Sequence, residues 1–305
     1  MTFLETIAHI VDLVPVLLRV TTPILLAALG VHISQKAGVL NLGVEGMMLA
    51  AALAGVLASA ASGSAWVGLA GALATGAVLG FLLSFAIHVL KADLILSGIA
   101  LNMLAAAGTT LVLYMLTGDK GMSGSLSSGV LPSLAIPLIA DIPVLGRLLS
   151  GHHVLTYLAF AMVPVVAVLM MRTPFGIRLR AVGESAEAAA TAGIDVARMQ
   201  IAALVLSGLL AGAAGAFLSM GYVSWFSQNM SGGRGFVALA ADLMGYGSAW
   251  GTMAASLLLG AADAFVISLQ GKGIPSELLQ SLPYIVPIVA LVIHARARRK
   301  RFVRI

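Results

Sequence analysis

Cysteine is absent from the 305 residues, so the chain can form no disulfide, no thiolate metal site and no cysteine nucleophile. Charge is nearly as scarce. Asp, Glu, Lys and Arg together make up 10% of the chain and apolar residues 60%, whereas a soluble domain carries about 25% charged residues. Too few polar side chains remain to cover a water-facing globule, which excludes a soluble enzyme. The phosphate-binding pattern Gly-x-x-x-x-Gly-Lys-Ser/Thr is also missing: Gly271-Lys272-Gly273 lacks both the leading glycine and the hydroxyl residue. No His-Glu-x-x-His pair occurs, and the six histidines show no metal spacing.

What is present is apolar sequence in long runs, with a mean hydropathy of +1.05. Runs of 18 or more residues can cross a bilayer core of about 30 Å as helices. The expectation is an all-α, polytopic transmembrane bundle forming one domain over 1–305. Its spans lie near 12–33, 39–60, 65–90, 94–117, 153–171, 199–222, 233–247, 248–270 and 277–294, about nine in all with eight to ten allowed. Met1–Val11 carries Glu5 and no basic residue, so it reads as an interfacial helix and not as a cleaved secretory signal.

Net charge is +5. In a soluble protein that would suggest nucleic acid, but here the basic residues cluster at span ends. Lys36, Lys91, Arg172, Arg178, Arg180, Arg198 and six residues after His294 fall on one side; Lys120, Arg147, Arg234 and Lys272 fall on the other. By the positive-inside rule the first side is cytosolic, with the C-terminus in the cytosol and the N-terminus outside. Arg19 lies within the first span.

An internal repeat is visible. Ser64-Ala65-Trp66 opens one span and Ser248-Ala249-Trp250 opens another, and at that offset Ala70, Leu73, Gly76 and Ala77 meet Ala254, Leu257, Gly260 and Ala261. Glycine pairs stand upstream of each, in Gly43-Val-Glu45-Gly46 and Gly232-Gly-Arg234-Gly235. The expected topology runs the halves, about 12–117 and 199–294, in opposite directions, as inverted-repeat transporters do. Small residues at four-residue spacing (Gly68, Ala72, Gly76, Gly80; Thr252, Ser256, Gly260, Ala264; Gly208, Gly212, Ala216) suit close helix packing in lipid.

Ionisable groups inside spans are costly and by default mark pathways or paired interior sites. Asn41 and Glu45 are four apart, expected on one helical face between glycines. Arg234 holds the repeat position equivalent to Glu45, so the two are candidate gate residues, paired through neighbours and not directly. With Asp242 they form the candidate translocation path, whereas Asp263 and Asn102 are expected to make helix–helix hydrogen bonds. Gly121-Met-Ser123-Gly124 has the Gly-x-Ser-Gly order of an intramembrane serine nucleophile, but it lies in a polar loop without a base at membrane depth. The basic segment 172–198 should hold a short helix over Glu184–Thr191 closed by Gly193.

Ala37-Gly-Val-Leu-Asn-Leu-Gly-Val-Glu-Gly-Met47, together with Thr173-Pro-Phe-Gly-Ile-Arg-Leu-Arg-Ala-Val-Gly-Glu184, Ala192-Gly-Ile194 and Leu206-Ser-Gly-Leu-Leu-Ala-Gly-Ala-Ala-Gly-Ala216, resembles the permeases of bacterial ABC importers of the branched-chain amino acid and simple sugar group. The first motif is most similar to the nucleoside-type permeases. The resemblance implies a non-enzymatic permease in the bacterial cytoplasmic (inner) membrane, in contact with lipid and not with nucleic acid. It further implies nucleotide-binding ATPase subunits that hold ATP and Mg, a second permease completing a heterodimer, and an extracytoplasmic substrate-binding lipoprotein. This chain itself would bind no cofactor and no metal. By the same resemblance Glu184, Glu187, Gly193 and Asp195 belong to the segment that docks on the ATPase. The alternatives are a sugar or branched-chain amino acid permease of the same fold, or an ion-coupled secondary transporter, which would leave 172–198 without a purpose.

Overall fold

The computed structural model describes residues 3–134 and 150–269, with side-chain surroundings from residue 13. The expected span at 277–294, the basic tail and part of the 118–152 loop lie outside the described residues. Within them the chain is helical apart from one two-stranded ribbon. Helices α1 (Phe3–Lys36), α2 (Val44–Ser62), α3 (Ala65–His88) and α4 (Leu94–Thr117) precede strands β1 (Ser133–Leu134) and β2 (His152–His153). Then follow α5 (Val154–Arg172), α6 (Pro174–Glu184), α7 (Ala186–Thr191), α8 (Val196–Met220), α9 (Arg234–Met244) and α10 (Ala249–Leu269). Strands β1 and β2 pair antiparallel, Ser133 opposite His153.

Seven of these helices are long and apolar enough to cross a bilayer. The segment expected to span at 233–247 is not among them. Its helix, α9, has 11 residues and is therefore about 16 Å long, half a bilayer core. The reason is local: Asn229, Gly232 and Gly233 hold left-handed backbone at φ 56°, 53° and 79°, so helix cannot begin before Arg234. Residues 3–11, read as an interfacial helix, are continuous with the first span in α1.

Helix α8 is the axis of the bundle and packs on α1, α2 and α3. The buried face of α3 is the expected small-residue stripe, Gly68, Ala72, Gly76 and Gly80, while Trp66, Phe81 and Leu82 stay exposed. A Cβ on Gly76 would run into the carbonyl of Gly208, and one on Gly208 into that of Gly76. Lipid gives helices no hydrophobic reason to associate, so this backbone-to-backbone approach supplies dispersion contact along the whole seam. Gly260 of α10 makes room for the Thr21 side chain of α1. Gly63 and Gly247, which turn the chain before α3 and α10, share a φ of 68°.

The α1–α2 connection is a re-entrant climb. Ala37 O accepts from Gln200 Nε2 at 3.2 Å near the start of α8, whereas the Asn41 side chain reaches Ser207 Oγ at 2.9 Å. Residue 207 is eleven positions into α8, about 16 Å along its axis. Non-helical backbone therefore enters the membrane from the Lys36 end, hereafter the basic face, and α2 begins at depth. Segment 221–233 enters from the opposite, loop face. Its backbone is satisfied by the polar loop, with Phe226 N donating to Ser123 Oγ (2.8 Å), Ser123 N to Phe226 O (2.8 Å) and Gln228 N to Gly121 O (2.8 Å). Ser123 is thus a buried structural acceptor. Non-helical backbone survives at membrane depth only where protein satisfies it in this way.

Close glycine contact makes a sharp contrast testable. Gly76→Val is expected to cost about 2 kcal/mol or more by overpacking, seen as a lower melting temperature of the purified protein. Gly108→Val, on α4 where a Cβ meets nothing within 4 Å, should lie within about 0.5 kcal/mol of wild type.

Candidate functional site

Two helix N-termini converge on one carboxylate. Glu45 sits in the first turn of α2, 8% exposed. Its Oε1 accepts the Gly233 amide at 2.8 Å and its Oε2 the Gly235 amide at 2.6 Å, both at the start of α9. Those amides have no intrahelical partner, and the carboxylate compensates the positive ends of both helix dipoles. Gly235 is required by the approach, since a Cβ there would lie 2.7 Å from the Glu45 backbone. The depth of the site follows from α4: Gly46 N donates to Asn102 Oδ1 and Asn102 Nδ2 to Leu42 O, each at 2.8 Å. Asn102 is eight residues into α4, about 12 Å along it. Glu45 is therefore an interior group, and Asn102 makes the helix–helix bond expected of it.

Asn41 lies in the turn before α2 and not on a helical face with Glu45. Its Oδ1 accepts the Gly43 amide (3.0 Å), its Nδ2 reaches Ser207 Oγ and Met47 Sδ, and its own amide donates to Ser34 Oγ (3.2 Å). The side chain staples the re-entrant turn to α8. Arg234 is the first residue of α9, and among the described residues it forms no ion pair with Glu45. The two meet through the glycines that flank Arg234. Its Nη1 donates weakly to Met230 O (3.3 Å) and Ser231 O (3.4 Å).

Asp242 is buried near the other end of α9. Its Oδ1 lies 2.8 Å from His32 Nδ1 on α1 and accepts from Thr252 Oγ1 of α10 at 3.0 Å. Its Oδ2 has no partner among the described residues. This triad ties α1, α9 and α10 together at the basic face, and His32 was not singled out by its sequence. Asp263 Oδ1 is likewise without a partner among the described residues, so the helix–helix bond expected of Asp263 is not found there.

A cavity opens toward each end of α9. The loop-face cavity, about 460 Å³, is lined by Arg19 and Val20 of α1, Phe217 of α8, Tyr222 and Arg234. The basic-face cavity, about 480 Å³, is lined by Lys36, Arg180, Glu184, Asp242 and Gly247. The Arg19 guanidinium sits 4.0 Å from the Tyr222 ring centroid, a cation–π contact. A charged residue inside the first span was the available signal for Arg19, but its aromatic partner stands some two hundred positions away. Among the described residues no cluster of His, Asp and Glu could hold a metal ion.

The segment 172–198 forms two helices, with Glu184 ending α6 and α7 starting only at Ala186. Ser185, extended at φ −156°, breaks the run because its Oγ accepts the Ala188 amide and caps the second helix. Gly193, at φ 80°, closes α7, and Asp195 caps α8 through the Arg198 amide at 3.0 Å. Glu184, Glu187, Gly193 and Asp195 are all exposed.

Glu45→Gln places an amide donor against a backbone donor, so it should destabilise the protein by about 1.5–3 kcal/mol. The melting temperature should fall and hydrogen exchange over 230–240 should accelerate; unchanged exchange there would refute the clamp. His153 caps α5 by accepting the Leu155 amide at 3.2 Å and is 2% exposed against Phe217 and Tyr222.

Known proteins share this architecture. Residues 14–293 match the family described as branched-chain amino acid transport system / permease component. The guanosine ABC transporter permease protein NupQ of Bacillus subtilis is 33% identical, covering 92% of this chain and 90% of its own. An assigned glucose ABC transporter permease, TsgC13 of Haloferax volcanii, is 33% identical over 83% of this chain and 76% of its own. The nucleoside ABC transporter permease protein NupC of Lactococcus lactis is 31% identical over 90% and 89%. An inward-facing structure of an ABC transporter assigned to the metal-chelate type has a TM-score of 0.51 and 19% identity, covering 92% of this chain and 85% of that one, a likeness of fold alone. A multi-pass bundle with re-entrant, glycine-framed helix starts and a match across nearly the whole length leads to one assignment: the chain belongs to the branched-chain amino acid transport system permease component family and is a membrane permease subunit of the ABC transporter type.

Proposed function

We propose that this permease serves an ATP-driven importer of nucleosides, with α9 as the septum of its translocation path. The observation that carries the reading is the pair of cavities, one containing the first residue of α9, Arg234, and the other containing Asp242, Leu243 and Gly247 near its end. A half-helix held at its start by a single carboxylate and at its end by His32 and Thr252 can rock without breaking its own hydrogen bonds. In this reading Arg234 and Asp242 mark the two ends of the gate, and Asn41 and Glu45 hold its frame.

The basic face is then cytosolic, as is the C-terminus, and the loop face receives substrate from an extracytoplasmic binding lipoprotein. Two ATPase subunits bind ATP and Mg and dock on 184–195 through Glu184, Glu187, Gly193 and Asp195. Helix α6 lies between that surface and the gate, since Gly183 packs on the Lys36 carbonyl and α6 shares a cavity with Asp242. A second, longer permease completes a heterodimer. Guanosine and nucleoside permeases among the relatives support the substrate class, as does the Gly38-Val-Leu-Asn-Leu-Gly-Val-Glu-Gly46 run. The glucose relative makes a simple sugar the second reading.

The test is uptake of labelled guanosine by cells with and without the gene, with adenosine, ribose and leucine as competitors. Loss of uptake on deletion, with competition by adenosine alone, is the expected result. Unchanged guanosine uptake in cells that express the system would move the assignment to sugars.

A further inference from the structure

The loop-face cavity has an unusual electrostatic character for a space at membrane depth. Its described lining contains two guanidinium groups, Arg19 and Arg234, and no carboxylate. Asp263 is close enough for the Arg234 charge to act on it, but forms no ion pair with it among the described residues. A guanidinium inside a span is costly unless its donors are engaged. Here they largely are not. Arg19 makes its cation–π contact with Tyr222, and among the described residues none of its N–H groups has an acceptor. Arg234 uses only Nη1, in two bonds of 3.3 and 3.4 Å, leaving Nη2 and Nε unengaged among the described residues.

The remaining lining is apolar and aromatic, with Val20 and Phe217 beside the Tyr222 ring. At about 460 Å³ the space is within the range of small-ligand sites. Two planar cations, with donors left over among the described residues, repel amines and zwitterions bearing a free ammonium. They favour a flat ligand rich in acceptors. A guanidinium supplies two parallel N–H donors that match the O6 and N7 acceptors of a 6-oxopurine, whereas a 6-aminopurine would set its own donor against one of them. Guanidinium planes also stack on nucleobases, and the Tyr222 ring supports the plane of Arg19.

Resting on the nucleoside reading above, we propose that this cavity is a substrate station for 6-oxopurine nucleosides. Arg234 reads the O6/N7 edge, and Arg19, backed by Tyr222, stacks on the base. The permease then adds its own selectivity to that of the binding protein. It does so at the first residue of the septum helix, so an engaged substrate touches the element that must move.

The experiment uses the complete transporter, this chain with its partner subunits in liposomes, and saturating binding protein loaded with either nucleoside. The readout is the maximal uptake rate of labelled guanosine and of labelled adenosine. Wild type is expected to prefer guanosine. Arg234→Gln should lower the guanosine rate about tenfold and the adenosine rate less than twofold, the size expected for one two-pronged contact. Arg19→Lys keeps the charge but loses the plane, and should slow both about fivefold. An unchanged guanosine-to-adenosine ratio in Arg234→Gln that assembles and melts like wild type overturns the station, and so does a wild type without preference. Either leaves nucleoside transport standing. A wild type that moves neither nucleoside overturns the functional reading itself. If Arg234→Gln does not assemble, Arg234→Lys, which keeps a point charge without the fork, is read by the same ratio.

Discussion

A backbone amide without an acceptor costs several kcal/mol where no water can reach it, and this protein starts two helices at membrane depth. For α2, Asn102 accepts the Gly46 amide; for α9 the acceptor is the Glu45 carboxylate. It lies in the first turn of α2 and closes the first turn of α9 through the Gly233 and Gly235 amides. Much else follows from that contact. Glycine is needed at 235 for the approach, and left-handed glycines are needed at 232 and 233 to turn the chain into α9. Asn41 and Asn102 are needed to hold the opposite side of the clamp, on α8 and α4. A carboxylate buried in this way is neutralised by peptide dipoles, so it requires no cationic partner, and Arg234 is left for other work.

The surrounding bundle is stiffest where helices α3 and α8 touch. Paired glycines bring backbones into contact, which leaves no side chain to repack and little room to slide. Helix α9 buries Val237, Ala238, Leu239 and Ala241 in the core, with a carboxylate at one end, a His–Asp–Thr cluster at the other and a cavity toward each. The polar loop between α4 and α5 belongs to the same design. Its Ser123 and Gly121 satisfy the backbone that feeds α9 from the loop face. The start of α9 is therefore braced by hydrogen bonds from the loop, and its end by the junction of α1, α9 and α10.

Much of the helical architecture was legible in the chain because lipid imposes a simple rule: long apolar runs become helices, and small-residue stripes become their contacts. The stripe through Gly68, Ala72, Gly76 and Gly80 is the buried face of α3 as read. The span expected at 233–247 was misjudged since apolar composition cannot distinguish a half-helix from a whole one. Asn229, Gly232 and Gly233 carried the missing signal, as a run able to hold left-handed backbone. The short helix expected over Glu184–Thr191 is present but starts at Ala186, because Ser185 competes locally for the backbone and caps it. The frames around Glu45 and Arg234 were visible, together with the idea that the two meet through neighbours. That the neighbours are peptide amides was not.

By itself the sequence determined that this chain lives in a bilayer, that its helices pack through glycine and alanine, and that its few buried charges matter. Those properties depend on composition and on spacings of three or four residues, which the one-dimensional chain displays directly. Tertiary structure alone decided which charges face a protein partner and which face a cavity. Glu45 meets α9 across 188 residues, His32 meets Asp242 across 210, and Arg19 rests on Tyr222 from the far end of the fold. Contacts at such separations depend on where the folded helices stand, and a single sequence carries no local period that records them.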